Sequence, residues 1–228
     1  MGIEENIRRI RTNMLDAAEK SGRDVKEIEL IAVTKYVDKD RILKALECGI
    51  STVGENRVQE LTAKMDDSVY GNARVDFIGQ LQTNKVKYII GKVRLIQSVD
   101  RLALLKEINS RAEASGLVQD ILIEVNIGGE LQKGGAAAEG LPSLLDAACA
   151  MPHVRVKGLM CIPPPLAGDG ARRYFSRMRG IYERIREEGM QGVEMEHLSM
   201  GMSGDYEAAI QEGATMIRVG TGIFGARG

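Results

Sequence analysis

Short apolar runs rich in β-branched residues alternate along the chain with longer segments whose apolar residues recur at helical spacing. Such alternation is typical of an α/β protein with a mainly parallel sheet. The strand pattern covers residues 28–34, 52–53, 75–78, 94–97, 121–125, 154–160, 194–198 and 216–219. Several helical segments between these runs end in a glycine suited to a left-handed C-cap, at Gly22, Gly49, Gly91, Gly116, Gly189 and Gly213.

The number of strand patterns indicates how the sheet is closed. Eight strands alternating with helices in 228 residues predict a single (β/α)8 TIM-type barrel, forming one domain over residues 1–228. Only residues 220–228 follow the eighth strand, too few for a closing helix. We expect an amphipathic helix that precedes the first strand to take its place, with one apolar face formed by Ile3, Ile7, Ile10 and Met14. An open, doubly wound sheet is the alternative topology.

Charge and composition argue against several classes of function. The 31 Lys and Arg residues balance 32 Asp and Glu residues, so a net charge of -1 offers no general attraction to nucleic acid or anionic membranes. The first residues carry two acids, and no segment stays apolar over the ~18 residues of a membrane helix. Cys48, Cys149 and Cys161 lack the spacing of a zinc site or a disulfide framework. We therefore expect a cytoplasmic protein without a metal and without nucleic-acid or membrane partners.

The first candidate for chemistry lies at the end of the first strand, because barrels carry their active sites at the carboxyl ends of the strands. Lys35 occupies that position. Burial lowers the pKa of a lysine and frees its amine to attack a carbonyl, so Lys35 is a candidate for Schiff-base formation. The simpler interpretation is a solvated lysine at a strand end.

The second candidate follows the last strand, where Arg218 precedes the glycine-rich segment 220–225 (GTGIFG). This segment has the form of a dinucleotide fingerprint but lacks the helix, second strand and acidic residue that the fingerprint requires. Glycine amides in such a loop bind phosphate, and barrels commonly bind phosphate after strands 7 and 8. We predict that Ser203 caps a helix after the seventh strand and lies beside this loop. A glycine turn with only a structural role is the alternative.

Five motifs in order resemble those of the pyridoxal-phosphate (PLP) homeostasis proteins, single-barrel relatives of the alanine racemase N-terminal domain. They cover residues 32–35 (AVTK), 54–60 (GENRVQE), 77–85 (FIGQLQTNK), 198–203 (LSMGMS) and 218–221 (RVGT). Asp76 departs from the family's pattern, which usually has histidine before Phe-Ile-Gly. This departure would alter the barrel mouth near strand 3 without touching a residue that the resemblance assigns to the cofactor.

The resemblance implies a fold-type III PLP site and assigns residues to it. These are Lys35 for a Schiff base with PLP, Ser203, Gly220 and Thr221 for the phosphate, Arg218 for the pyridine nitrogen, and Asn56 within the same cofactor site. A guanidinium can only donate to the pyridine nitrogen and tends to keep it unprotonated, which weakens PLP as an electron sink. Lys133, in a polar loop, is a candidate for a transient second PLP site.

The function implied by the resemblance is storage, buffering or delivery of PLP, without strong catalytic activity. Racemisation needs an acid-base group on each face of the substrate carbon, and the racemases that resemble this barrel take the second group, a tyrosine, from a separate domain that we expect this chain to lack. The expected protein is a monomer with PLP-dependent apo-enzymes as recipients. The alternatives are a fold-type III amino-acid racemase or decarboxylase, a class I aldolase-like barrel, and a barrel whose glycine loop is only structural.

Overall fold

The computed structural model describes residues 2–130, 134–164 and 168–226. In this part of the chain eight parallel strands form a closed barrel in sequential order. The last strand returns to pair with the first, with Leu30 opposite Ile217. The predicted (β/α)8 barrel is confirmed, and the open doubly wound sheet is excluded. The strands are β1 (Glu29–Val33), β2 (Thr52–Glu55), β3 (Arg74–Phe77), β4 (Leu95–Val99), β5 (Gln119–Val125), β6 (Val154–Cys161), β7 (Val193–Met202) and β8 (Met216–Val219).

Helices cover the outside of the barrel and carry the chain from one strand to the next. A 3₁₀ helix over Thr83–Tyr88 connects β3 to β4. No helix in the described ranges is both long and apolar enough to cross a membrane. The α-helices are α1 (Ile3–Lys20), α2 (Lys39–Glu47), α3 (Val58–Asp66), α4 (Leu102–Ala114), α5 (Leu141–Cys149), α6 (Arg172–Glu188), α7 (Tyr206–Gln211) and α8 (Thr221–Phe224).

The first helix occupies the place that the short C-terminal segment leaves open. Ile7, Ile10 and Met14 form its buried face, and α1 packs against α2, α7 and α8. The side-chain amide of Asn6 donates to the carbonyl of Ile223 at 2.9 Å and so ties α1 to α8. Because this apolar face would otherwise contact water, its burial stabilises the closed barrel. The predicted placement of the helix is confirmed, but the expectation of no helix after β8 is wrong, because Thr221–Phe224 form the short helix α8.

The seventh strand is longer than the sequence pattern predicts. It extends to Met202, and its pairing with β8 shifts register between Ser199 and Met202. Helix α7 begins only at Tyr206, with Asp205 in the N-cap position. The prediction that Ser203 caps this helix is therefore wrong, because the irregular strand end carries the chain past Ser203 before the helix begins.

The barrel interior contains an apolar layer and a set of polar side chains. The apolar layer is formed by Ile31, Leu95, Leu122, Met160 and Met216. Buried polar groups are costly unless they are hydrogen-bonded, so polar residues inside a barrel indicate a site or a network. Those that concern the site are Asp76, Gln97, Glu124, Ser199 and Arg218, all of them buried.

Candidate functional site

Lys35 lies in the turn between β1 and α2. Its side chain is half-buried and lines a cavity of about 430 Å³ at the carboxyl ends of the strands. Gly220 and Thr221, which follow β8, line the same cavity. Because β1 and β8 are hydrogen-bonded neighbours, residues from the two ends of the chain meet here. The structure therefore brings the predicted amine and the predicted phosphate loop together.

The backbone on both sides of Lys35 is held by charged side chains. Tyr36 has a φ of 61°, in the left-handed region, which costs a residue other than glycine roughly 1–2 kcal/mol. The N–H of Tyr36 donates to Oε1 of Glu60 at 2.5 Å. The carbonyl of Thr34 accepts a hydrogen bond from Nζ of Lys64 at 2.6 Å. These two contacts determine the direction in which the chain presents Lys35.

We call Glu55, Glu60 and Lys64 the lysine-turn clamp. Nζ of Lys64 contacts Oε1 of Glu55 at 2.7 Å and Oε1 of Glu60 at 2.8 Å. The carboxylate of Glu55 is fully buried and also accepts from the hydroxyls of Thr34 at 2.7 Å and Tyr70 at 2.9 Å. Burial and the charge of Glu55 raise the pKa of Tyr70, so its hydroxyl remains a donor. The acidic residues of the GENRVQE segment thus support the turn that carries Lys35.

The hydroxyl of Ser203 lies against the glycine loop. Its Oγ accepts from the N–H of Gly220 at 3.3 Å and from the N–H of Gly222 at 3.1 Å. A Cβ atom at position 222 would lie 2.8 Å from Cγ1 of Val219 and 3.5 Å from Oγ of Ser203. A side chain at position 222 would therefore require Val219 to shift, whereas its contact with Ser203 would have an ordinary length. Both N–H groups are thus taken up by Ser203 in this structure, and a phosphate could be held here by the Ser203 hydroxyl and by these N–H groups once it replaces Oγ as their acceptor.

Arg218 points into the barrel interior from β8 and is 4% exposed. Its guanidinium donates to Oγ of Ser199 and, at 2.9 Å, to the carbonyl of Cys161. Burial lowers the pKa of Arg218, but a guanidinium remains protonated in proteins. Arg218 is thus a fixed positive donor two residues before the glycine loop.

Glu124 is a buried carboxyl group close to Arg218. Burial raises the pKa of Glu124 to about 7, the charge of Asp100 acts in the same direction, and the charge of Arg218 opposes both. The side chain is 9% exposed. Glu124 therefore changes its charge near neutral pH, next to the guanidinium of the candidate site.

Replacing Glu124 with glutamine should flatten the pH dependence of stability. The folded protein holds the Glu124 proton up to about pH 7, whereas the unfolded chain releases it near the ordinary glutamate pKa of 4.5. In the wild type, the free energy of unfolding should therefore fall by on the order of 3 kcal/mol as pH rises between these values, and then level off. The measurement is urea unfolding of the ligand-free protein from pH 4.5 to 8. Glu139→Gln, at an exposed position, is the control; parallel curves for wild type and Glu124→Gln would contradict the expectation.

Asn56 follows β2 and lies next to the turn of Lys35. Strands β1 and β2 pair with Val33 opposite Gly54, so the residues after them are neighbours at the barrel mouth. Oδ1 of Asn56 is buried and has no hydrogen-bond partner among the described residues. Gly79 packs on its backbone so closely that a Cβ there would lie 2.1 Å from the carbonyl oxygen of Asn56. The orphaned oxygen marks a place where a ligand donor would be favourable.

The structure does not cover every residue that the sequence proposes for the site, and it shows contacting residues that the sequence analysis did not propose. Lys133 lies outside the described residues. Within the described ranges, no group of three or more His, Cys, Asp or Glu residues could hold a metal ion. The sequence contains a usable signal for Gln97 and Glu124, which are polar residues inside apolar strand patterns, and for Ser199, which directly follows such a pattern. It gave none for Lys64, which looks like an ordinary helix surface residue.

Comparison with known proteins gives full-length matches. The model of the family described as alanine racemase, N-terminal domain, matches residues 3–228. A relative from Aquifex aeolicus named pyridoxal phosphate homeostasis protein is 44% identical over 228 residues, covering 100% of this chain and 99% of that protein. A protein of the same name from Pseudomonas aeruginosa is 36% identical over 226 residues, covering 99% and 96%.

A solved structure provides a similar match in three dimensions. The structure of PipY from Synechococcus elongatus with PLP bound has a TM-score of 0.85 and 29% sequence identity, and the match covers 98% of this chain and 100% of PipY. The barrel described above is therefore shared over the whole of that protein.

Proposed function

The chain belongs to the alanine racemase N-terminal domain family and, within it, to the pyridoxal phosphate homeostasis proteins; from this premise we propose that it binds PLP and serves its storage, buffering or delivery. The observation that supports this proposal best is the convergence of Lys35 with the glycine loop in one cavity. PLP carries an aldehyde, which reacts with an amine, and a phosphate, which accepts hydrogen bonds from N–H donors.

The residues present fit PLP group by group. Lys35 would hold the aldehyde carbon as a Schiff base, while Gly220, Thr221 and the hydroxyl of Ser203 would hold the phosphate. Arg218 would face the pyridine nitrogen, and Asn56 has an orphaned Oδ1 at the same mouth. Bound PLP supplies an electron-withdrawing ring to reactions at an attached amino group. The roles of these six residues are part of the proposal.

The environment of Arg218 favours holding PLP over using it in catalysis. A buried guanidinium donates a hydrogen bond to the ring nitrogen and disfavours a proton on it. An unprotonated ring withdraws electrons less strongly, so reactions through a carbanion are slower. We therefore propose a binding protein without strong catalytic activity. It would act as a monomer in the cytoplasm, as one domain over residues 1–228, and its recipients would be PLP-dependent apo-enzymes.

Transfer to an apo-enzyme tests this function. PLP-loaded protein, freed of excess PLP by gel filtration, is mixed with the apo-form of a PLP-dependent transaminase, and the recovery of transaminase activity is followed. Recovery to the level reached with an equal amount of free PLP supports delivery. No recovery, with PLP still on the protein, would contradict delivery.

An assay for turnover separates the carrier from the racemase or decarboxylase. The loaded protein is incubated with single L-amino acids, and D-isomers and carbon dioxide are measured. We expect rates far below the roughly 1–1000 s⁻¹ that are typical of enzymes. Turnover within that range would make the enzyme the correct function.

A further inference from the structure

A chain of four buried polar side chains crosses the barrel interior from β3 to β8. Nε2 of Gln97 donates to Oδ2 of Asp76 at 2.8 Å, and Oγ of Ser199 donates to Oε1 of Gln97 at 2.7 Å. Ser199 in turn accepts from the guanidinium of Arg218. Asp76, Gln97 and Ser199 are each at most 1% exposed. We call Asp76, Gln97 and Ser199 the interior relay.

The hydrogen bonds that Asp76 accepts give this relay its starting point. Burial raises the pKa of Asp76, and the hydrogen bonds and charge of Arg94 oppose that shift. Nε and Nη2 of Arg94 donate to Oδ1 and Oδ2 at 2.8 and 2.6 Å. Both oxygens of Asp76 therefore face donors only, which is the geometry of a carboxylate. Arg94 is itself anchored by Glu29, with Nη1 at 3.0 Å from Oε1.

The direction of every later hydrogen bond follows from that carboxylate. An ionised carboxylate only accepts, so the amide nitrogen of Gln97 must face Asp76 and its oxygen must face Ser199. That oxygen accepts the single proton of the Ser199 hydroxyl, which leaves the lone pairs of Oγ for Arg218. Without a fixed acceptor at position 76 the Gln97 amide can reverse, and the Ser199 proton would then compete with Arg218.

We propose that Asp76 is a positioning residue that acts through Gln97 and Ser199 to hold the guanidinium of Arg218. The Arg218 contacts to Ser199 and to the carbonyl of Cys161 use two of the five N–H donors of the guanidinium, which leaves others for a ligand. The benefit for PLP rests on the proposed function, in which Arg218 faces the ring nitrogen. At this position the resembling family usually has histidine, so the relay gives the departure at Asp76 a specific role.

The position of Arg218 can be tested in the ligand-free protein by nuclear magnetic resonance. In the wild type, the Nη protons of Arg218 should give separate signals, because two acceptors restrict rotation about the Nε–Cζ bond. The signals are assigned by their loss in Arg218→Met. In Ser199→Ala and Gln97→Met the separate signals should merge, and in Ser199→Thr, which keeps a hydroxyl, they should remain separate.

A matched control comes from the neighbouring serine on β4. Ser98 is also 1% exposed, and its hydroxyl has no hydrogen-bond partner in the part of the chain that the structure describes. Ser98→Ala should leave the Arg218 signals separate. Merged signals in Ser98→Ala as well, or unchanged signals in Ser199→Ala and Gln97→Met, would overturn the proposal.

The effect of Asp76 on Arg218 is tested with a variant that removes Asp76 without leaving its partner Arg94 unpaired. Asp76→Ala combined with Arg94→Met removes both partners of the buried pair. The Arg218 signals should merge in this double variant, as in Gln97→Met. If it fails to fold, Gln97→Met alone decides, because it cuts the relay without touching the Asp76–Arg94 pair.

PLP titration then measures the effect on the proposed function. Ser199→Ala should raise the PLP dissociation constant about tenfold, the effect of one lost hydrogen bond to a charged group. In the Arg218→Met background, Ser199→Ala should raise the PLP dissociation constant by less than about twofold, because the two residues act as a unit. Equal effects in both backgrounds would overturn the relay. Absence of PLP binding to the wild type would refute the proposed function, whereas the ligand-free signals would still decide the relay.

Discussion

Lys35→Ala is expected to abolish the covalent attachment of PLP and to weaken its retention by roughly a hundredfold. Alanine has no amine, so no Schiff base can form at this position. The hydroxyl of Ser203 and the amides of the glycine loop remain in place, so a weaker, phosphate-driven binding should persist. The visible absorbance of the Schiff base and equilibrium dialysis with PLP measure the two effects separately.

The control for this variant is Lys39→Ala. Lys39 is an exposed lysine four positions further along the chain, and its loss should change neither the absorbance nor the dissociation constant. Schiff-base absorbance that persists in Lys35→Ala would place the reactive amine on another lysine. Complete loss of PLP binding in that variant would show that the glycine loop does not bind phosphate by itself.

Lys64→Met should destabilise the protein by about 3 kcal/mol, since it leaves a buried carboxylate without its cation. Lys64 is 12% exposed at its side chain, and its partner Glu55 is fully buried. The same change frees the carbonyl of Thr34, which flanks Lys35. Urea unfolding measures the stability, and PLP titration measures the consequence for the lysine turn.

An exposed ion pair provides the matched control. Lys44 lies 3.3 Å from Glu47, and both side chains are more than half exposed. Water and salt screen such exposed pairs, so Lys44→Met should have only a small effect on stability. If Lys64→Met destabilised the protein as little as Lys44→Met does, the lysine-turn clamp would not be holding a buried charge.

The fold was predictable from the sequence because the spacing of apolar residues within a short segment differs between a helix and a strand. Each of the eight strand patterns corresponds to a strand of the barrel, and the amphipathic pattern of α1 predicted that this helix fills the place left by the short segment after β8. The end of β7 was not predictable, because its register shift with β8 is a property of two strands together. Ser203 was consequently assigned to a helix cap, although its hydroxyl accepts hydrogen bonds from the glycine loop.

The candidate site was predictable only where it lies at strand ends. Lys35 and the glycine loop were found because both follow strands that a barrel places side by side. The contacts of Lys64 with Thr34 and of Gln97 with Ser199 were not predictable. The latter two residues are 102 positions apart in the chain, and no local pattern records which polar groups inside a barrel face each other.

Chemical trapping of bound PLP shows whether Lys35 is the lysine that carries it. The wild-type protein is mixed with PLP, reduced with borohydride, digested and mapped by mass spectrometry. We expect one stable PLP adduct, on the peptide that contains Lys35. An adduct on a different lysine, or none after addition of PLP, would contradict this expectation.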